Sequence, residues 1–102
     1  MRKRKPTYDL EAFKAAMSDP KNMAITTTAR RDARGLGFDD AKISAVIQTM
    51  DRSQFKESIT SNNDHRVWQD YYHVPAGDEL LLYVKFTAEV VTEFVLLSFK
   101  EK

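Results

Sequence analysis

The order of hydropathy patterns predicts an α+β fold, with N-terminal helices packed on one face of a mainly antiparallel, twisted sheet. Three observations carry this. Before Asp51 the apolar residues recur at helical spacing, whereas after it they alternate or cluster as β-branched and aromatic runs. Segment 79–87 places Leu80, Leu82, Val84 and Phe86 on one side and Leu81, Tyr83, Lys85 and Thr87 on the other. Finally, 102 residues suffice for one packed core and leave no room for a second module, so residues 1–102 are expected to form a single domain.

The elements follow in order. A helix is expected from Asp9, an N-cap type, to about Ser18, with Leu10, Phe13 and Met17 on one face and Pro20 as its stop. A short extended piece covers Met23 to Thr26. Thr27 or Thr28 then caps a second helix, whose weak stripe is Ala29, Ala33 and Leu36 and whose end is marked by Gly35 and Gly37. Asp39 and Asp40 open a third helix with Ile43, Val46, Ile47 and Met50 on one side. Strands are expected over 54–61, 66–74, 79–87 and 92–99. Pro75-Ala76-Gly77-Asp78 is expected as a turn, and a short link is expected near Glu89–Val91.

Composition narrows the class. The chain is 42% hydrophobic and 30% charged, a globular balance, and it has no cysteine, which excludes disulfides and thiolate metal sites. No apolar run reaches the ~20 residues that span a bilayer, and the basic start Met1-Arg2-Lys3-Arg4-Lys5-Pro6 lacks the apolar stretch of a secretory signal. A cytoplasmic protein without a membrane partner is expected. Net charge is only +1, yet nine basic and four acidic side chains fall within residues 1–35. Residues 1–6 are therefore expected to be a mobile basic arm, suited to phosphate or simply solvated.

Chemistry-bearing side chains gather in the later half. Tyr83 and Lys85 point from the less apolar side of their strand. Residues 65–73 add His65, Arg66, Gln69, Tyr71 and His73. A lysine supplies a point charge for phosphoryl oxygens, an amide orients one of them, and a tyrosine donates a proton or stacks on a base. An ordinary solvated sheet face fits the same parity. His65 and His73 stand eight apart without cysteines or an HExxH spacing, so no metal site is expected. Asp64-His65 reads as an oriented histidine or as a capping Asp beside a surface His. Ser98 and Lys100 share strand parity with Phe94 and Leu96, which leaves their face open.

Two strings then narrow the field. Asp64-His65-Arg66-Val67-Trp68-Gln69-Asp70-Tyr71-Tyr72 resembles the DHxxWQDxY segment of MqsR toxins, and Ser98-Phe99-Lys100-Glu101-Lys102 is similar to their SFKEK terminus. Leu82-Tyr83-Val84-Lys85-Phe86-Thr87 looks like their VYLKIT-type strand, and the resemblance covers nearly the whole chain. It implies a RelE-like ribonuclease fold and a toxin of a type II toxin–antitoxin system. The implied activity is metal-independent, ribosome-independent cleavage of single-stranded mRNA at GC-containing triplets, without a cofactor. The implied partner is an MqsA-like antitoxin, which carries the zinc.

The family's catalytic glutamine, tyrosine and C-terminal lysine fall on Gln69, Tyr83 and Lys100. Lys85, Arg66 and Tyr72 are expected to contact RNA, with His65 as a reserve acid–base group. One corner departs. The family's other lysine lies two residues after a phenylalanine, where this chain has Glu57 after Phe55 and Lys56. Either a bulge re-aims Lys56, or Glu57 takes the place and acts as a base. The altered corner also suits a rival reading, a non-catalytic nucleic-acid- or protein-binding regulatory module. Trp68, opposite in parity to Gln69, is expected in the core.

Overall fold

The computed structural model describes residues 1–89 and 93–102. Helix α1 (Leu10–Ala16) starts where the Asp9 carboxylate accepts the Glu11 N–H. Helix α2 (Thr27–Gly35) is capped by Thr26, one residue earlier than expected, whose hydroxyl oxygen accepts the Ala29 N–H at 3.1 Å. It closes in a Schellman motif: Phe38 N–H donates to Ala33 O and Gly37 N–H to Arg34 O, with Gly37 at φ +88°. Helix α3 (Asp40–Gln48) is capped by Asp39. Arg30 and Arg34, both on α2, reach Asp40 at 3.3 and 2.7 Å and tie the two helices together.

Five strands follow the order β1-β2-β3-β4-β5, all paired antiparallel: β1 (Arg2–Lys3), β2 (Phe55–Thr60), β3 (Trp68–Ala76), β4 (Leu80–Ala88) and β5 (Phe94–Glu101). The expected α+β architecture is what the structure shows. One sheet face meets the helices: Tyr72, Val74, Leu82, Val84, Phe86, Leu96 and Phe99 are fully buried with Phe13, Met17, Ala29, Ala33, Ile43 and Ile47. The Phe13 ring stacks on Phe86 at 3.7 Å. On the β5 edge, Leu96 exchanges backbone hydrogen bonds with Ala24 and Thr26, so the extended piece before α2 covers that edge.

The N-terminal segment is not a free arm. Arg2 and Lys3 pair with Ile59 and Ser58, and Thr60 N–H donates to Met1 O. Further along, the fully buried Asp70 carboxylate accepts the backbone N–H groups of Thr7 and Tyr8 at 2.9–3.1 Å. An otherwise bare edge of β2 and a buried charge needing donors hold the segment at both ends.

Two other expectations shift. Pro75 and Ala76 stay in β3, and the turn is 77–79, with Gly77 at φ +79°. Pairing with β2 ends at Tyr72, so at Pro75 the strand has one neighbour only and tolerates a residue without an N–H. Trp68 has the helix-side parity expected of it but lies half-buried at the sheet's end, with Lys3 Nζ 4.3 Å from its ring centre. The link near Glu89–Val91 falls largely outside the described residues. Among those described, no helix is long and apolar enough to cross a membrane.

Two bulges aim the opposite sheet face. In β2, Phe55 pairs with Tyr72 but Glu57 with Tyr71, so Lys56 is an extra residue. In β5, Ser98 pairs with Lys85 but Leu96 with Phe86, so Leu97 is extra. Beyond each bulge the strand's alternation changes phase. Phe94 and Leu96 face the helices, and so does Phe99, three residues on. Ser98 and Lys100 are thereby turned to the outer face.

Candidate active site

The outer face is a small lattice of polar side chains. One cross-strand row is His73–Tyr83–Lys100. The next is Glu57–Tyr71–Lys85–Ser98, and the third begins Ile59–Gln69. Successive rows lie about 7 Å apart, because same-face residues are two strand steps apart. Gln69 therefore stands about 13 Å along β3 from His73, with Tyr71 and Lys85 between.

Aromatic rings pave the middle. Tyr71 and Tyr83 stack with centroids 4.8 Å apart, and His73 lies 6.0 Å from Tyr71 and 6.3 Å from Tyr83. Lys100 Nζ is 5.4 Å from the centre of the Tyr83 ring. Tyr71 Oη donates to Glu57 Oε1 at 2.9 Å, while Arg2 Nη1 is 3.6 Å from Glu57 Oε2. Both carboxylate oxygens are thus engaged.

This environment moves protons in one consistent pattern. Burial, then the charge of Glu57, pushes the Tyr83 phenol up, so it stays protonated at neutral pH. Tyr71 moves the same way, through burial and its bond to Glu57. Burial and the repulsion of Lys100 pull Lys85 below the usual lysine range. His73 is pulled down by burial, then by Lys102 and Lys56. Lys56 is the exposed extra residue of the β2 bulge, while Glu57 pairs with Tyr71 on this face.

Gln69, Tyr83, Lys85, Lys100 and Glu57 therefore share the face: parity suggests it for Tyr83 and Lys85, the bulges bring Glu57 and Lys100 to it, and Gln69 is separate from the Tyr83–Lys100 row. Three candidates are elsewhere. Tyr72 is fully buried against Phe55 and Phe86, because its parity is that of the core face, so it cannot touch RNA in this fold. His65 lies exposed in the turn before Trp68, at the far end of β3 from His73. Arg66 occupies the same turn, its side chain 91% exposed and forked onto Asp64. Conversely, Tyr71 and His73 belong to the site but had no role assigned. Their odd numbering, shared with Gln69 on one strand, was the available signal.

A helical layer on one side of an antiparallel sheet, with tyrosines, lysines and a glutamine on the other, is an α+β fold consistent with the RelE-like type. The family model described as "Motility quorum-sensing regulator, toxin of MqsA" matches residues 5–101. The mRNA interferase toxin MqsR of Escherichia coli strain K12 is 33% identical over 102 residues, which cover 100% of each chain. The chain belongs to the MqsR toxin family.

Proposed function

We propose that this chain is the toxin of a type II toxin–antitoxin pair and a metal-independent, ribosome-independent endoribonuclease. Its substrate is single-stranded mRNA, cut at GC-containing triplets, and its restraint is an MqsA-like antitoxin that carries its own zinc. Family membership and the name of the E. coli relative support the class of activity. The observation that carries the chemistry is the pairing of Tyr83 with Lys100, beside Lys85 on one exposed face.

RNA brings its own nucleophile. The ribose 2′-oxygen attacks the adjacent phosphorus, the bond to the 5′-oxygen breaks, and the products are a 2′,3′-cyclic phosphate and a 5′-hydroxyl. An intramolecular nucleophile already has a high effective molarity, so placement and charge are what the protein must add. Lys100 and Lys85 stabilise the extra negative charge on the phosphorane-like transition state. Tyr83, protonated at neutral pH, hands its proton to the departing 5′-oxygen. Gln69, two rows away, binds the backbone about four strand steps, or about 13 Å, further along rather than the scissile phosphate. The stacked Tyr71–Tyr83 pair offers its exposed edge to a base.

The test is incubation of purified, antitoxin-free protein with a defined GC-containing RNA in EDTA, with the cut ends mapped. Cleavage leaving cyclic phosphate or 3′-phosphate, lost in Tyr83→Phe, supports the reading. Intact RNA bound in a salt-dependent manner by folded protein overturns it in favour of a binding module.

A further inference from the structure

We propose that His73 is the general base that removes the 2′-hydroxyl proton, working across the scissile phosphate from Tyr83. This rests on the ribonuclease reading above and supplies the group which that reading lacks.

Position comes first. His73 is the cross-strand neighbour of Tyr83, which in turn pairs with Lys100. An acid and a base serving one phosphorus must each come within about 3 Å of an oxygen on it. Two opposed side chains with ring centres 6.3 Å apart, beside a lysine, meet that need without backbone movement. The other candidates are less available. Glu57 has one oxygen bonded to Tyr71 and the other beside Arg2. His65 is in the turn beyond the opposite end of β3. The His73 imidazole makes no hydrogen bond with the described residues.

Its surroundings suit the role. Tyr71 flanks it on its own strand, Tyr83 on β4, Lys100 and Lys102 at the end of β5, and Lys56 and Glu57 on β2. Burial, then Lys102 and Lys56, hold the imidazole below its ordinary range. It therefore remains neutral, with a free lone pair, through pH 7.

The proton balance closes. An imidazole nitrogen takes the 2′-hydroxyl proton as the 2′-O–P bond forms. The P–O5′ bond breaks, and the 5′-oxygen takes the Tyr83 proton. Imidazolium and phenolate then exchange one proton through solvent and restore the starting state.

The experiment is single-turnover cleavage of a short RNA across pH by the wild type, His73→Gln and Lys102→Met. Expected for the wild type is an acid limb of unit slope, inflecting below the ordinary histidine value of about 6.5. His73→Gln loses about 10²–10⁴-fold in rate and loses that inflection, while its RNA affinity and melting temperature stay near wild type. Lys102→Met removes a neighbouring cation, so the inflection moves up in pH, a shift that a packing role for His73 does not produce. A folded His73→Gln enzyme with the wild-type rate and acid limb overturns the assignment, as does an unmoved limb in Lys102→Met. Wild-type protein that leaves RNA intact overturns the ribonuclease reading itself, and His73 with it.

Discussion

Tyr83 on β4 lies directly opposite Lys100 on β5, with the lysine nitrogen 5.4 Å from the centre of the tyrosine ring. The extra residue Leu97 makes this possible. Without it, Lys100 would keep the phase of Phe94 and Leu96 and point into the helices. In the proposed mechanism, this tyrosine, which stays protonated, is the acid and the cation beside it the charge clamp.

Tyr83→Phe removes one hydroxyl and little packing. Cleavage is expected to fall about 10²–10⁴-fold, the usual weight of acid–base assistance, with melting nearly unchanged. Lys100→Ala is expected to lose comparable activity through the transition-state charge. Single-turnover rates on a defined RNA, with circular dichroism as the fold control, check both. Near-normal turnover by a folded Lys100→Ala protein removes the role given to that lysine.

Tyr72 differs from Tyr83 in everything but residue type. It is fully buried, its hydroxyl has no hydrogen-bond partner among the described residues, and burial followed by Asp70 pushes its phenol up to about 12. An unpaired buried hydroxyl costs about 1–3 kcal/mol. Tyr72→Phe keeps the ring contacts with Phe55 and Phe86 and deletes that cost. The variant is expected to gain about 1 kcal/mol in denaturant unfolding, with RNA affinity unchanged. A loss of stability would show that the hydroxyl has a partner after all.

The contrast between these two tyrosines marks what was legible in the sequence. Period-2 parity in β4 placed Leu82, Val84 and Phe86 inward and Tyr83 and Lys85 outward, and both assignments hold. The caps at Asp9 and Asp39 and the glycine exit at Gly37 were also readable, because each is a local hydrogen-bond device. The bulge at Lys56 was one of two readings of the Phe55-Lys56-Glu57 spacing and is present, but that Glu57 would take the outer face, and that Ser98 and Lys100 would, were not readable, since a bulge adds a residue without leaving a distinct residue type behind. Within β3, applying the parity of Gln69 throughout would have sent Tyr72 inward and admitted Tyr71 and His73. The pairing of Arg2–Lys3 with β2 depends on a contact 55–57 residues away, which no local pattern encodes.

Glu57 occupies the corner where the sequence resemblance implies a lysine, and it is 20% exposed on the side chain. Its charge contributes to raising both Tyr71 and Tyr83. Glu57→Gln retains an acceptor for Tyr71 Oη but removes the charge. Both phenols are then expected to ionise at lower pH, read from tyrosinate absorbance. Arg2 loses its anionic partner and becomes free for phosphate, so RNA affinity is expected to rise with a steeper salt dependence, by up to about one phosphate contact. Unaltered phenol titration would mean that Glu57 does not set the field on this face.

Lys85 gives the alkaline side of the same electrostatics. Burial, then repulsion from Lys100, lowers its ionisation, so its charge disappears at a lower pH than that of an ordinary lysine. The sign is fixed: the cation is present below the lowered value and lost as pH rises through it. RNA affinity at constant salt is therefore expected to weaken on the alkaline side before the usual lysine range of about 10.4. Lys100→Met removes the neighbouring charge while leaving the burial of Lys85 in place. Affinity falls overall, but the midpoint of its alkaline loss moves to higher pH. Fluorescence anisotropy of a labelled RNA across pH measures both midpoints. Identical midpoints in the two proteins would separate the two lysines and leave Lys85 without a part in holding phosphate beside Tyr83.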